Sequence, residues 1–217
     1  MNIAETLSYW NDFYKDNKQN ILPSQFAVFS MSEFSPTCVV DIGCGDGRDT
    51  IFFTEYCALT IGVDASSSAL SVCEASGIRK GVNGLELIES DVSDELLSSK
   101  ILELIPTRCE RLLVYSRFFV HAVNKADEKS LFRLVQSLLL RHRGYFVCEF
   151  RTTKDEFLPK STASHYRRFV DPIEFMSEAK NFGLECEYFV EGKGMAKFGQ
   201  DDAHVARLVL SMSDDEV

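Results

Sequence analysis

Val39-Val40-Asp41-Ile42-Gly43-Cys44-Gly45-Asp46-Gly47-Arg48-Asp49-Thr50 is the stretch whose reading decides the fold. An apolar run, three glycines at alternate positions and renewed apolar residues at Ile51 and Phe52 read as a buried strand, a tight turn and a helix. Alternate glycines take positive φ and bring backbone N–H groups against a ligand with no Cβ in the way. Asp41, at the end of the strand, repels phosphate and attracts an ammonium or sulfonium group. The spacing G-x-G-x-G, with Arg48 where a dinucleotide fingerprint has its third glycine, turns the reading away from nucleotide phosphates and toward a cationic ligand.

Outward from this turn, strands and helices alternate. Leu59-Thr60-Ile61-Gly62-Val63-Asp64 is a short apolar strand ending on a carboxylate, and Asp64 follows Gly43 at the roughly 20-residue distance expected of an acid that binds ribose hydroxyls. Ser66 caps the next helix, which Gly77 is expected to stop. Leu85–Glu89 reads as a third strand, followed by Ser90-Asp91-Val92, and a helical stripe from Leu97 to Ile105 closes at Pro106. Arg111–Ser116 is a fourth buried strand whose tail, Arg117 to Val123, lies at a carboxyl end, where ligands gather in such sheets. A helix beginning at Asp127, a fifth strand at Tyr145–Phe150, a helix capped by Asp171-Pro172 and two closing strands, Glu185–Glu191 and Val205–Ser211, complete the chain. Ahead of the first strand stand Leu7, Tyr9, Trp10, Phe13 and Tyr14 at helical spacing, and a second helix that Pro23 is expected to start.

With 217 residues, one α/β domain is expected: a helical segment 1–36 and a compact unit 37–217. The net charge of −10 and pI near 4.9 argue against broad electrostatic binding of nucleic acid. No run of 18 apolar residues occurs and the first residues lack signal-peptide character, so no membrane insertion and a cytoplasmic location are expected. The seven cysteines form no C-x-x-C pair and read as reduced, small core residues, and no metal is expected. Against the acidic whole, Arg151, Lys154, Lys160, His165, Arg167 and Arg168 place six cationic or imidazole side chains within eighteen residues, a local reversal suited to an anionic substrate or to a solvated loop.

The string Asp-x-Gly-Cys-Gly-x-Gly at 41–47 resembles the first motif of the class I methyltransferases that use S-adenosyl-L-methionine. The order of elements is similar to theirs over nearly the whole chain. The resemblance implies a doubly wound, Rossmann-like α/β fold: a seven-strand, mostly parallel sheet with an antiparallel terminal strand and a helical N-terminal cap. Tyr115–Ala122, Glu149–Thr152 and His165–Phe169 resemble a bacterial subgroup associated with polysaccharide and O-antigen biosynthesis. The Asn that many members carry in the glycine turn is here Asp46. Carried over by position, Asp41 and the backbone of Gly43, Cys44 and Gly45 would hold the methionine part of the cofactor. Asp64 and Ala65 would hold the ribose, Asp91 and Val92 the adenine, and Ser116 and Arg117 the edge near the sulfonium, with Tyr9 and Trp10 as an aromatic cap.

Methyl transfer asks the protein to align a nucleophile with the sulfonium and to keep water away. A hydroxyl acceptor needs a base, for which His121 and then His165 are the candidates, while Arg167 with Arg168 would grip a phosphate or carboxylate. The implied partner is a small-molecule or glycan-like acceptor, an anionic one among the choices. A protein or tRNA methyltransferase and a cofactor-binding scaffold without catalysis stay open, as does the oligomeric state.

Overall fold

In the computed structural model of the protein, residues 3–16, 22–160 and 166–213 are described. Seven strands form one sheet: β1 (Cys38–Ile42), β2 (Leu59–Asp64), β3 (Leu85–Glu89), β4 (Leu112–Arg117), β5 (Gly144–Arg151), β6 (Leu184–Gly192) and β9 (Val205–Met212). Their order is β3-β2-β1-β4-β5-β9-β6. The first five run parallel and β9 is antiparallel to both neighbours. The chain's last strand thus enters between β5 and β6, and the two closing strands expected from the sequence are adjacent and antiparallel. Strand order reverses between β1 and β4, which opens a crevice at their carboxyl ends.

Helices cover both faces because the central strands are apolar on both. Val40, Val114 and Phe146 belong to one core with Leu97 and Ile101 of α5 (Leu97–Leu104), Leu131, Val135 and Leu138 of α6 (Lys125–Leu139), and Phe175 of α7 (Pro172–Lys180). Their sequence neighbours Val39, Leu113 and Val147 belong to the other core, with Phe26 and Ala27 of α2 (Gln25–Phe34) and Phe53 of α3 (Arg48–Phe53). This alternation is the period of two expected of strands buried on both sides. While α2 is sealed into the second core, α1 (Ile3–Asp16) lies over the crevice and lines it.

Three expected helix boundaries move. Helix α4 (Ser67–Lys80) is capped by Ser66 but runs through Gly77 and ends at Gly81, φ 64°. Gly77 is buried, and a Cβ on it would meet Leu85 Cδ2 at 2.9 Å, so its missing side chain serves packing rather than termination. Pro23 precedes α2 instead of starting it, because Ser24 is the cap, accepting from the Ala27 N–H at 3.0 Å. Helix α6 starts at Lys125 rather than Asp127, as Asn124 Oδ1 accepts from the Ala126 and Asp127 N–H groups at 2.7 and 3.0 Å. Asp171 caps α7 as expected, with Pro172 in the first turn. Between β6 and β9 a small hairpin, β7 (Lys197–Phe198) and β8 (Asp201–Asp202), stands apart from the main sheet.

Candidate active site

The crevice at the carboxyl ends of the parallel strands is a cavity of about 1480 Å³. Its first wall is the glycine turn. Gly43, Gly45 and Gly47 have φ of 75°, 55° and 78°, values that only glycine adopts without strain. The turn's N–H groups are spent internally: Gly43 and Cys44 donate to the Val63 carbonyl at 2.8 and 3.1 Å, and Gly45 donates to Asp64 Oδ2 at 2.8 Å. The expectation that these N–H groups face a ligand is therefore corrected. A turn whose donors are consumed and which is ringed by carboxyl groups suits a cation, not a phosphate.

Asp41 is buried and accepts from Thr50 Oγ1 at 2.6 Å, and burial pushes its carboxyl up to about 8. Asp64 accepts from the N–H groups of Gly45 and Ser66, both at 2.8 Å, and burial raises its pKa as well. A carboxylate with two such bonds keeps acceptor capacity for ribose hydroxyls. Ala65 lines the cavity beside it. Asp91 also lines the cavity, but its Oδ1 accepts from Ser93 N and Oγ at 2.8 and 2.6 Å, so it caps a turn as well as facing the site. Val92 is buried in the core below and reaches the cavity wall. The Cys44 thiol is buried, and burial together with Asp64 and Asp41 raises its pKa well above the ordinary value, which leaves it a packing group rather than a nucleophile.

Helix α1 brings Tyr9, Trp10, Phe13 and Tyr14 onto the cavity. Tyr9 and Trp10 meet edge to face with ring centroids 5.1 Å apart, and Trp10 stacks on Tyr14 at 6.0 Å. Asn11 anchors the helix by accepting from Ser66 Oγ at 2.7 Å, next to the cap of α4. Tyr14 Oη lies against Gly45, where any Cβ would collide with it. Burial and the nearby carboxyl groups of Asp64 and Asp46 raise the Tyr14 pKa well above its ordinary value. The aromatic spacing pointed to this helix, but nothing in the sequence singled out Tyr14 or Asn11.

The opposite wall is cationic. Arg117 Nε donates to Glu149 Oε1 at 2.8 Å, and Arg207 Nε donates to Glu149 Oε2 at 2.7 Å. Glu149 is fully buried, so one carboxylate holds two guanidinium groups. Arg151 is bound by Asp201, with Nη2 to Oδ2 at 2.6 Å, and by Asp155, with Nη1 to Oδ2 at 2.7 Å. Phe118, at φ 59° a non-glycine residue in the left-handed region, lies between the Arg117 and Arg151 guanidinium carbons at 4.3 and 5.5 Å from its ring centre. Arg167, Tyr166 and Phe198 of the small hairpin complete this end. Burial and the nearby Arg151 charge lower the Arg167 pKa.

Two of the expected site residues sit elsewhere than expected. Ser116 is fully buried and donates its hydroxyl to the Ile42 carbonyl at 3.1 Å, which removes it from the cavity wall. Arg168 does not join Arg167 in a common grip: it is ion-paired with Glu128 of α6 and donates to the Val120 carbonyl at 3.1 Å. His165 lies outside the described residues. His121 lines the cavity, is buried, and its Nδ1 accepts from the Arg151 N–H at 3.2 Å. Among the described residues, no group of three or more His, Cys, Asp or Glu could hold a metal ion. Nor is any helix among them long and apolar enough to cross a membrane.

Residues 39–142 match the family described as methyltransferase domain. The whole chain superimposes on a S-adenosylmethionine-dependent methyltransferase from Anabaena variabilis, with TM-score 0.73, 17% identity and coverage of 98% of this chain and 96% of the other. It also superimposes on one from Clostridium acetobutylicum (TM-score 0.62, 14% identity, 98% and 100% covered). The glycopeptide N-methyltransferase MtfA, complexed with S-adenosyl-L-methionine, is similar too (TM-score 0.65, 14% identity, 91% and 98% covered). No curated protein matches the chain in sequence. The domain match, over just under half of the chain, and the doubly wound seven-strand fold shared with these structures support a S-adenosylmethionine-dependent methyltransferase with S-adenosyl-L-methionine as its cofactor.

Proposed function

We propose that this enzyme, working in the cytoplasm, transfers a methyl group to a small or glycan-like anionic acceptor. The observation that carries the reading is the division of charge inside one cavity: Asp41, Asp46, Asp64 and Asp91 at the ends of β1 to β3, Arg117, Arg151 and Arg167 toward β4, β5 and the small hairpin. The acidic half suits a sulfonium nucleoside and the basic half an anion, so the two reactants are drawn to opposite walls of the same space. When bound, the cofactor supplies an electrophilic methyl group.

In this reading Asp41 receives the methionine part beside the Gly43–Gly45 turn, Asp64 and Ala65 the ribose, and Asp91 with Val92 the adenine. Tyr9 and Trp10, in the segment 1–36, close over them and exclude water, while Arg117 and Arg167 orient the acceptor. Calorimetry with S-adenosylmethionine tests the cofactor half: Asp64→Ala is expected to weaken binding at least tenfold, and unchanged affinity refutes the ribose assignment. Methyl-donor turnover across sugar, phosphate, peptide and RNA pools tests the rest. Label in peptide or RNA alone refutes the acceptor class, and tight cofactor binding with no turnover in any pool identifies a scaffold.

A further inference from the structure

A base at the acceptor end needs a lone pair that faces the acceptor, and His121 and the carboxylates beside it have committed theirs. The buried His121 ring accepts the Arg151 backbone N–H at Nδ1, 3.2 Å away. In the neutral imidazole that bond fixes the proton on Nε2, so the ring is a donor at Nε2 and its one lone pair faces the backbone. Its neighbours hold it there. Arg168 N–H donates to the His121 carbonyl at 2.8 Å, and the Phe118 ring meets the imidazole edge to face at 5.2 Å.

The carboxylates on this side are committed through both oxygens. Glu149 is divided between Arg117 and Arg207. Asp201 takes the Arg151 fork, Nη1 to Oδ1 at 3.3 Å and Nη2 to Oδ2 at 2.6 Å. Asp155 takes Arg151 on Oδ2 and the His204 N–H on Oδ1 at 2.8 Å. Burial raises the Tyr9 hydroxyl above its ordinary pKa, which keeps it a donor. What this wall offers an acceptor is therefore positive charge and N–H groups, with no proton acceptor among these side chains.

Resting on the proposed methyl transfer, we infer that the acceptor attacks as an oxyanion already ionised in solution, a carboxylate or a phosphoryl oxygen, and that His121 serves as a hydrogen-bond donor and not as a base. A lone pair of the acceptor oxygen forms the new O–CH₃ bond as the S–CH₃ bond breaks and its electron pair remains on sulfur. The sulfonium charge and one negative charge of the acceptor are cancelled together, and no proton is released. The product has lost a charge that the guanidinium groups attract, which favours its departure.

Nitrogen NMR of the cofactor-free protein reads the first half directly. His121 is expected to show an unprotonated Nδ1 and a protonated Nε2, and a protonated Nδ1 in the neutral ring overturns the inference. The second half uses methyl-labelled S-adenosylmethionine with a panel of carboxylates, phosphate monoesters, alcohols and amines, followed in weak buffer for proton release. Label in carboxylates, freed as methanol by mild alkali, or alkali-stable label in phosphates, with no proton released per turnover, is expected and tells the two oxyanions apart. Label confined to alcohols or amines with one proton released, or none in either oxyanion class, overturns it. His121→Gln retains an N–H but no base: a fall of about tenfold is expected, whereas a loss of the 10²–10⁴-fold that general-base removal brings overturns the donor role. Failure to bind S-adenosylmethionine would instead remove the wider reading on which this one rests.

Discussion

Replacing Asp41 by Asn separates what this carboxyl does for the fold from what it does for the ligand. In the folded chain Asp41 is buried, bonded to Thr50 Oγ1 at 2.6 Å, and its pKa is pushed from the ordinary 3.8 up to about 8 by burial. A folded-state pKa above the unfolded one means that the native state holds a proton the unfolded state has released. The stability contribution is whole below pH 3.8 and is lost progressively as pH rises to about 8. At 1.36 kcal/mol per unit, the interval from pH 6 to pH 8, at the end of which the group is half ionised, removes about 2 kcal/mol from wild type by way of this one group. Asn does not titrate. Denaturant unfolding of both proteins at pH 6 and pH 8 should show the variant gaining about that much relative to wild type, other groups cancelling in the comparison. The same substitution should weaken S-adenosylmethionine binding, and calorimetry near pH 7 in buffers of different ionisation enthalpy should find nearly one proton released by wild type and none by Asp41→Asn. A stability difference equal at both pH values would refute a raised pKa, and with it the account of the acidic wall as a reserve of charge that a cation calls out.

Gly45→Ala places a side chain at φ 55° and drives it into Tyr14 Oη, so a cost of about 1–2 kcal/mol for the backbone alone and displacement of α1 are expected. Thermal unfolding and Trp10 fluorescence check both. Glu149→Gln leaves the largely buried Arg117 and Arg207 without their shared carboxylate, and breaking a buried ionic group in this way costs on the order of 3–5 kcal/mol. Denaturant titration of that variant measures the loss, and a change below 1 kcal/mol would show that water replaces the partner. Asn11→Ala removes the acceptor of Ser66 Oγ, and faster amide hydrogen exchange is expected in α1 while the sheet is unchanged.

Local chemistry carried the fold in the sequence. Runs such as Val39–Ile42 and Leu112–Ser116 can only be strands buried on both faces, the glycines at 43, 45 and 47 demand a positive-φ turn, and Asp171-Pro172 announces a helix start, because each signal acts within a few residues. The acidic end of the cavity was legible for the same reason: Asp41 and Asp64 are strand-terminal residues in a parallel sheet, and their place follows from where the strands stop. Tertiary structure alone decided the rest. That Gly77 packs rather than terminates, that Ser116 turns to the Ile42 carbonyl, and that Arg168 leaves Arg167 for Glu128 depend on neighbours brought in from other elements. The tautomer of His121 is set by a backbone N–H thirty positions away on an adjoining strand, and Arg117 and Arg151 are held in place by Glu149 of β5, Asp155 of the turn after it and Asp201 of the hairpin. Periodicity reports which face a residue occupies, but not which partner waits there, so chemistry that depends on a second element's hydrogen bond becomes readable only when the chain has folded.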